Sequence, residues 1–161
     1  MISSRGNSDE DNFKYALEKV RQWCASDEHC LWDAKQKLTR LGCSSSETDK
    51  ILLSLKEEDF INEARYALAF ASGRFKLLKW GKNKIASELR MKKIPEQFIG
   101  KALENIDADA YRKSLTTLLN KKKHELAGEK PGTMKQKLVR FAMQKGYEAE
   151  MVYDVLRMND E

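Results

Sequence analysis

Residues that break helices are scarce in this sequence. Only two prolines and eight glycines occur among 161 residues, and these are the two residue types that most strongly disfavour a helix interior. Proteins built from many short strands and tight turns need more of both. The composition therefore predicts an all-α protein.

Long apolar runs are also missing. No stretch approaches the roughly 20 consecutive apolar residues that a membrane-spanning helix needs. Residues 1–12 are polar and acidic, unlike the apolar core of a secretory signal. We therefore expect no membrane contact and a cytoplasmic location.

The cysteine pattern argues against disulfides and against a metal site. Cys24, Cys30 and Cys43 make an odd number of thiols, in a chain long enough to fold without disulfides. Their spacing lacks the paired C-x2-C arrangement that is typical of structural zinc sites. We predict reduced cysteines and no bound metal.

Catalytic motifs are absent as well. His29 and His124 have no recognisable serine, cysteine or acid motif around them, so neither is expected to act in catalysis. The sequence contains no glycine-rich phosphate loop and no paired carboxylate motif for a metal. These absences predict a non-enzymatic protein with no catalytic residues and no cofactor.

The chain does contain an internal repeat. Segments 34–55, 85–106 and 138–158 share one apolar pattern, which predicts a helix, a tight stop and a second helix. Ala34, Ile85 and Leu138 are equivalent positions on the first of these helices, and Cys43, Ile94 and Tyr147 are equivalent positions after the stop.

Glycine marks the stop in two of the three segments. Gly42 and Gly146 follow the predicted first helix, where a residue in the left-handed conformation commonly ends it. Lys93 occupies this place in the middle segment, so that turn is either slightly strained or built differently, with Pro95 opening the next helix at its first position.

A further helix precedes each hairpin, which gives three helices to each repeat. These helices are expected at about 13–25, 57–78 and 108–126, and the acids Glu57-Glu58-Asp59 would lie at the start of the second. The predicted domains are a disordered tail at 1–11 and helical repeats at 12–55, 56–106 and 107–158.

The positive charge is concentrated in two clusters. A net charge of +5 and a pI near 9.0 indicate an acidic partner. We predict partner-binding residues in a central cluster, where Glu88 is the only opposing acid, and in a second cluster nearer the C-terminus. The central cluster comprises Arg74, Lys76, Lys79, Trp80, Lys82, Lys84, Arg90 and Lys92, and the second comprises Lys121, Lys122, Lys123 and Arg140.

Apolar side chains interleave with the central charges. Phe75, Leu77, Leu78 and Trp80 allow part of this segment to pack while the basic groups reach outward. Trp80 has two interpretations: an aromatic anchor for a partner, or a side chain packed against the next repeat.

Residues 55–103 contain a series of short motifs in a fixed order. They are Phe60-Ile61-Asn62-Glu63, Arg65-Tyr66-Ala67, Trp80-Gly81-Lys82, and the pattern of Ile85, Leu89, Ile94 and Pro95 that follows. Together these motifs resemble the central motif of the RecX family. With its weaker N-terminal and C-terminal parts, the resemblance extends over about residues 13–157.

This resemblance implies a fold, a partner and an activity. The fold would be an elongated, curved tandem array of three three-helix repeats. The protein would be a monomer that lies in the groove of the RecA recombinase filament and most often inhibits its ATPase, strand-exchange and coprotease activities in DNA repair and the SOS response.

Two other functions fit the same residues. A sequence-independent DNA-binding helical protein would act without RecA and would bind single-stranded DNA through the basic clusters. A structural adaptor would use its helices to bind some other acidic protein.

Overall fold

The computed structural model describes residues 4–159, and this part of the chain contains nine α-helices and no strand. The prediction of an all-α protein is confirmed. None of the described helices is both long enough and apolar enough to cross a membrane. The helices are α1 (Ser4–Ser26), α2 (Leu31–Arg40), α3 (Ser45–Glu57), α4 (Glu63–Leu78), α5 (Lys82–Met91), α6 (Glu96–Glu104), α7 (Ala108–Glu125), α8 (Pro131–Gln144) and α9 (Ala149–Asn159).

The chain divides into two compact units. Unit 1 comprises Met1–Tyr66 with Lys92–Ile94, and unit 2 comprises Ala67–Met91 with Pro95–Glu161. In unit 1, α1, α2 and α3 all pack on one another, and in unit 2 α7, α8 and α9 do the same while α5 packs on α6. The residue boundaries proposed for the repeats, and the elongated, curved arrangement, stay predictions.

The repeat register matches the pattern of burial. The equivalent residues Ala34, Ile85 and Leu138 are all buried, and so are Ile94 and Tyr147 after the turn, while their equivalent Cys43 is half-buried. Burial of the same register positions means that each repeat closes its core with the same helix faces.

The predicted glycine stops are confirmed. Gly42 and Gly146 have φ angles of +84° and +97°, a conformation that residues with a Cβ rarely adopt. Lys93 has φ of +60°, so the middle repeat uses the same turn with a strained residue. Pro95 is the N-cap of α6 rather than its first helical residue, and its carbonyl accepts a hydrogen bond from Ile99 N at 3.2 Å.

Two sequence-based helix boundaries are corrected. Helix α1 begins at Ser4, so residues 4–11 of the predicted disordered tail are helical, and residues 1–3 lie outside the described part of the chain. Helix α3 runs to Glu57 and α4 begins only at Glu63. The acids Glu57-Glu58-Asp59 therefore follow a helix instead of starting one.

Arg65 explains why the chain turns between α3 and α4. Asp59 has φ of +60°, and its backbone turn lets Phe60 N donate to Leu55 O at 2.9 Å. The Arg65 guanidinium donates to the Asp59 carboxylate and to the Asp59 carbonyl oxygen, each at 3.1 Å, and also to Glu28. A single planar side chain therefore fixes this loop of unit 1 from several directions.

Candidate partner-binding surface

Helix α4 has one buried face and one exposed apolar end. Ala67, Ala71 and Phe75 follow one another at intervals of four residues, and all three are buried. Leu77 lies off this stripe and is 82% exposed, and Leu78, the last residue of the helix, is 46% exposed. Phe75 is therefore the buried member of the apolar residues that interleave with the central charges. The helical spacing of the stripe identifies Leu77 as a surface residue, because Leu77 is neither three nor four residues from any member of the stripe. Leu78 lies three residues after Phe75, so its exposure could not be predicted from this spacing.

Two lysines border the exposed leucines. Lys76 and Lys79 are exposed, and no ion pair joins either of them to another described residue. Lys79 directly follows the last residue of α4 and has φ of +59°, and its amide donates to Phe75 O at 3.0 Å. We call the group formed by Lys76, Leu77, Leu78 and Lys79 the Leu77 surface.

Trp80 is half-buried and contacts cations of its own chain. Arg74 Cζ lies 5.5 Å and Lys84 Nζ lies 4.4 Å from the Trp80 ring centroid, within the range of cation–π attraction. The Phe70 ring meets it edge-on at 6.4 Å. These contacts support the packing interpretation of Trp80, and they hold Arg74 and Lys84 beside the indole.

Gly81 and Gly146 make a backbone-to-backbone contact within unit 2. Gly81 N donates to Lys145 O at 2.7 Å and Asn83 N donates to Gly146 O at 2.9 Å. A Cβ added at Gly81 would lie 2.2 Å from the Gly146 carbonyl carbon, far inside van der Waals contact. We call this contact between the α4–α5 turn and the α8–α9 turn the glycine junction.

Two buried tyrosines support the glycine junction. Tyr111 Oη accepts a hydrogen bond from Lys82 N at 2.9 Å and donates to Glu148. Tyr147 Oη donates to Lys79 O at 2.9 Å and lies 3.1 Å from Ser114 Oγ. Burial, and then the hydrogen bond to Glu148, raise the pKa of Tyr111 well above its usual range, so its hydroxyl stays neutral. Sequence reasoning aligned Tyr147 with Cys43 and Ile94 but did not find this network.

Two members of the predicted central cluster are neutralised by acids. Arg90 donates to the Glu96 carboxylate at 2.6 and 3.1 Å. In unit 1, Lys92 Nζ donates to both Asp33 oxygens, at 2.8 and 2.9 Å. Glu88 is the only acid within residues 74–92, but the acids that neutralise Arg90 and Lys92 lie outside this segment of the sequence. Burial lowers the pKa of Lys92, but the hydrogen bond to Asp33 and nearby negative charges outweigh burial and raise its pKa overall.

Lys82 also has a neighbour inside the fold. Its ammonium nitrogen lies 5.0 Å from the centroid of the Tyr111 ring, and its backbone amide holds the Tyr111 hydroxyl. Reversing its charge would therefore disturb the support of the glycine junction as well as the surface.

The second basic cluster lies on α7 and α8. Lys122 bonds weakly to Glu125 at 3.4 Å and lies 5.1 Å from the Phe141 ring centroid. Lys121, Lys123 and Arg140 are exposed, and no ion pair links them to the described part of the chain. These three remain the available cations of this cluster.

The cysteines and His29 of unit 1 show no reactive arrangement. Burial raises the pKa of both Cys24 and Cys30 to about 11, which keeps these thiols protonated at neutral pH. His29 stacks on Trp23 with ring centroids 3.4 Å apart, and burial lowers its pKa. Among the described residues, no group of three or more His, Cys, Asp or Glu is placed to hold a metal ion.

Comparison with known proteins identifies the second and third repeats. Residues 62–103 match the model of the RecX second three-helix domain, and residues 110–156 match that of the RecX third three-helix domain. A crystal structure of a regulatory protein RecX superposes with a TM-score of 0.85 and 19% identity, and covers 96% of this chain and 74% of that chain. The crystal structure of RecX from Lactobacillus salivarius superposes with a TM-score of 0.82 and 16% identity, and the match covers 94% of this chain and 98% of that chain.

Curated relatives share this likeness. The regulatory protein RecX of Clostridium botulinum (strain Eklund 17B / Type B) is 30% identical over 125 residues, which cover 76% of this chain and 58% of the relative. The regulatory protein RecX of Clostridium tetani is 34% identical over 122 residues, which cover 74% of this chain and 56% of the relative. The chain thus spans less than three-fifths of the length of these relatives. The matching domain models cover more than half of the chain, and we conclude that it belongs to the RecX family of regulatory proteins.

Proposed function

We propose that this chain binds the RecA filament and inhibits its ATPase, strand-exchange and coprotease activities in DNA repair and the SOS response. Membership of the RecX family supports the choice of partner. The observation that supports the place of contact is the Leu77 surface, where two exposed leucines lie between two lysines that have no ion-pair partner among the described residues.

This surface has the composition of an interface core with a charged border. Protein interfaces commonly bury apolar residues at the centre and keep polar residues at the rim. Leu77 is 82% exposed in the free chain, and burying one leucine contributes roughly 1.5–3 kcal/mol to association. Lys76 and Lys79 add attraction towards an acidic surface and speed its approach.

The surface is also held in place before a partner arrives. The carbonyl of Lys79 accepts a hydrogen bond from the buried Tyr147 hydroxyl, and the amide of Trp80 donates to Arg74 O at 3.2 Å. The end of α4 therefore needs little ordering on binding, and a smaller entropy loss means a tighter complex.

The experiment changes this surface and spares the fold. The variant carries Leu77→Ser, Lys76→Glu and Lys79→Glu, and leaves Lys82 and Lys84 intact because their side chains contact Tyr111 and Trp80. The control carries Leu53→Ser and Lys50→Glu. Leu53 is also an exposed leucine, with 57% of its surface accessible, and Lys50 lies one helical turn before it.

The readout is inhibition of the single-stranded-DNA-dependent ATPase of RecA. We expect the triple variant to need at least about tenfold more protein for half inhibition, which corresponds to roughly 1.4 kcal/mol, while the control behaves as the parent. Equal inhibition by variant and parent would remove the Leu77 surface as the contact site. The DNA-binding alternative predicts that the chain co-sediments with single-stranded DNA in the absence of RecA. It also predicts that high salt weakens this DNA binding equally with and without RecA.

A further inference from the structure

A cavity of about 500 Å³ opens in the third repeat. The end of α7, the start of α8 and the end of α9 form its walls, all within unit 2. Its apolar lining consists of Leu119, Pro131, Met134, Leu138 and Leu156. Leu119 and Leu138 are also core residues, so the floor is firm. The volume falls in the range of cavities that hold a ligand group.

The mouth of this cavity is basic. Lys123 and Lys135 line it and are exposed, and no ion pair neutralises either within the described part of the chain. Glu129 lines it too, but Lys137 binds that carboxylate. Helix α8 begins here with Pro131, without an acid in its first turn and without a side-chain cap, so its positive dipole end adds to the two lysines.

We propose that this cavity binds an acidic peptide segment of a partner protein. One large apolar side chain of the segment would rest against Leu119, Leu138 and Leu156, and flanking carboxylates would lie beside Lys123 and Lys135. None of the described lining residues is aromatic, so the cavity offers no surface on which a nucleic-acid base would stack. An apolar floor under a basic mouth instead matches a peptide that carries both features.

The proposal stands apart from RecA binding through the Leu77 surface. That surface ends at residue 79, whereas the cavity is formed by residues from Leu119 onwards. RecA binding through the Leu77 surface and peptide binding in the cavity can therefore be tested independently. A chain with the Leu77→Ser, Lys76→Glu and Lys79→Glu changes should bind an acidic peptide as the parent does.

The probe is a series of short fluorescein-labelled peptides. Each has glutamates and serines around one central residue, which is phenylalanine, leucine, isoleucine, methionine or alanine. Fluorescence anisotropy with the whole chain should show saturable binding that weakens as salt rises. The best apolar member should bind about tenfold more tightly than the alanine peptide, because that side chain is buried. Equal binding of the alanine peptide, or no member binding below about 1 mM, overturns the proposal.

Two pairs of variants locate the binding. Gly132 lines the cavity, and a Cβ added there meets no atom within 4 Å, so Gly132→Leu should obstruct the cavity without a backbone clash. Gly100 of α6 has equally open surroundings, and Gly100→Leu is the matched control. The double variant Lys123→Glu, Lys135→Glu tests whether the positive charge at the mouth of the cavity attracts the peptide. The double variant Lys101→Glu, Lys113→Glu makes the same change in net charge away from the cavity and is its control.

We expect both cavity variants to weaken peptide binding about tenfold and both controls to bind as the parent does. If Gly132→Leu binds the peptide unchanged, the cavity is not the binding site. Analytical sedimentation of the parent and of Gly132→Leu tests whether a second copy of the chain, instead of a peptide, occupies the cavity. A parent that self-associates and separates into monomers on this substitution would show that a second copy of the chain fills the cavity, and would overturn the peptide proposal.

Discussion

The Gly81→Ala substitution tests the glycine junction directly. The new Cβ would lie 2.2 Å from Gly146 C, 2.3 Å from Tyr147 N and 2.4 Å from Gly146 O. All three are backbone atoms, which cannot rotate away as a flexible side chain would. The α4–α5 and α8–α9 turns must therefore move apart.

The energetic cost follows from what the separation breaks. Gly81 N, Asn83 N and Tyr147 Oη donate across the junction at 2.7, 2.9 and 2.9 Å, and each such bond contributes about 1 kcal/mol net. Residual overpacking adds about 1–3 kcal/mol, and the lower entropy of the unfolded alanine chain offsets at most about 1 kcal/mol. We expect a loss of about 3–5 kcal/mol, or about 6–20 °C in Tm for a chain of this size.

Thermal unfolding followed by circular dichroism measures this loss. Gly100→Ala is the control, because Gly100 lies within α6 with open space around it, and alanine there should be neutral or stabilise by up to about 1 kcal/mol. If Gly81→Ala melts within about 2 °C of the parent, the junction opens without cost and the reasoning is wrong.

A second substitution sharpens the test. Gly146→Ala forces alanine into φ of +97° and brings its Cβ within 2.4 Å of Lys84 Cβ. Because the two glycines contact each other, either substitution alone should open the junction. The double variant should then lose less stability than the sum of the two single losses, and strict additivity would show that the two positions act independently.

Three further predictions follow from other contacts. Tyr147→Phe should cost about 1 kcal/mol because Lys79 O loses its buried donor, whereas Tyr153→Phe, at an exposed ring, should leave Tm unchanged; equal effects would contradict the network. Arg65→Ala and Arg65→Lys should both lower Tm more than Arg157→Ala, since Arg65 bonds to Asp59 and Glu28 while Arg157 makes one exposed pair; rescue by lysine would show that charge alone suffices. The free energy of unfolding should fall as pH rises from 9 to about 11, because the pKa of Cys24 and Cys30 is raised from 9.0 to about 11 in the fold and only the unfolded chain ionises in that window; a Cys24→Ala, Cys30→Ala variant should lose this component of the pH dependence.

The sequence was enough to predict the repeat and its core. Ala34, Ile85 and Leu138 could be aligned because each begins the same helical spacing of apolar residues, and all three are buried. Gly42 and Gly146 were predictable stops because positive φ favours glycine. Local periodicity and local backbone chemistry are properties that a short stretch of sequence carries by itself.

The turns that follow α3 and α4 depend instead on side chains that lie outside each turn. Asp59 and Lys79 adopt φ of +60° and +59° although neither is glycine. Asp59 is held by Arg65, which also bonds to Glu28, 37 residues earlier than Arg65, and the Lys79 carbonyl accepts a hydrogen bond from Tyr147, 68 residues away. No local sequence pattern predicts these two turns, because contacts with side chains outside the turns stabilise them.

The candidate surface was predictable only in part. Lys92 looked free because its partner Asp33 lies 59 residues earlier in the chain. Tyr147 offered a clue that was not used: it stands where the other repeats have Cys43 and Ile94, and a buried hydroxyl at an aliphatic position requires a hydrogen-bond partner. A polar atom at a core position is thus a sequence signal for a junction between repeats.

The residues that identify the family and those that we propose to contact a partner are different sets. Arg65 clamps a loop, Tyr66 and Ala67 are buried, Trp80 contacts neighbouring cations, and Gly81 packs against Gly146. Each of these motif residues has a structural role inside its own unit, so their spacing reports the fold. A surface that recognises a partner must instead present side chains outward, as Leu77 and its lysine neighbours do. Changes at motif positions should therefore lower Tm and inhibition together, whereas changes at the Leu77 surface should lower inhibition while Tm stays constant.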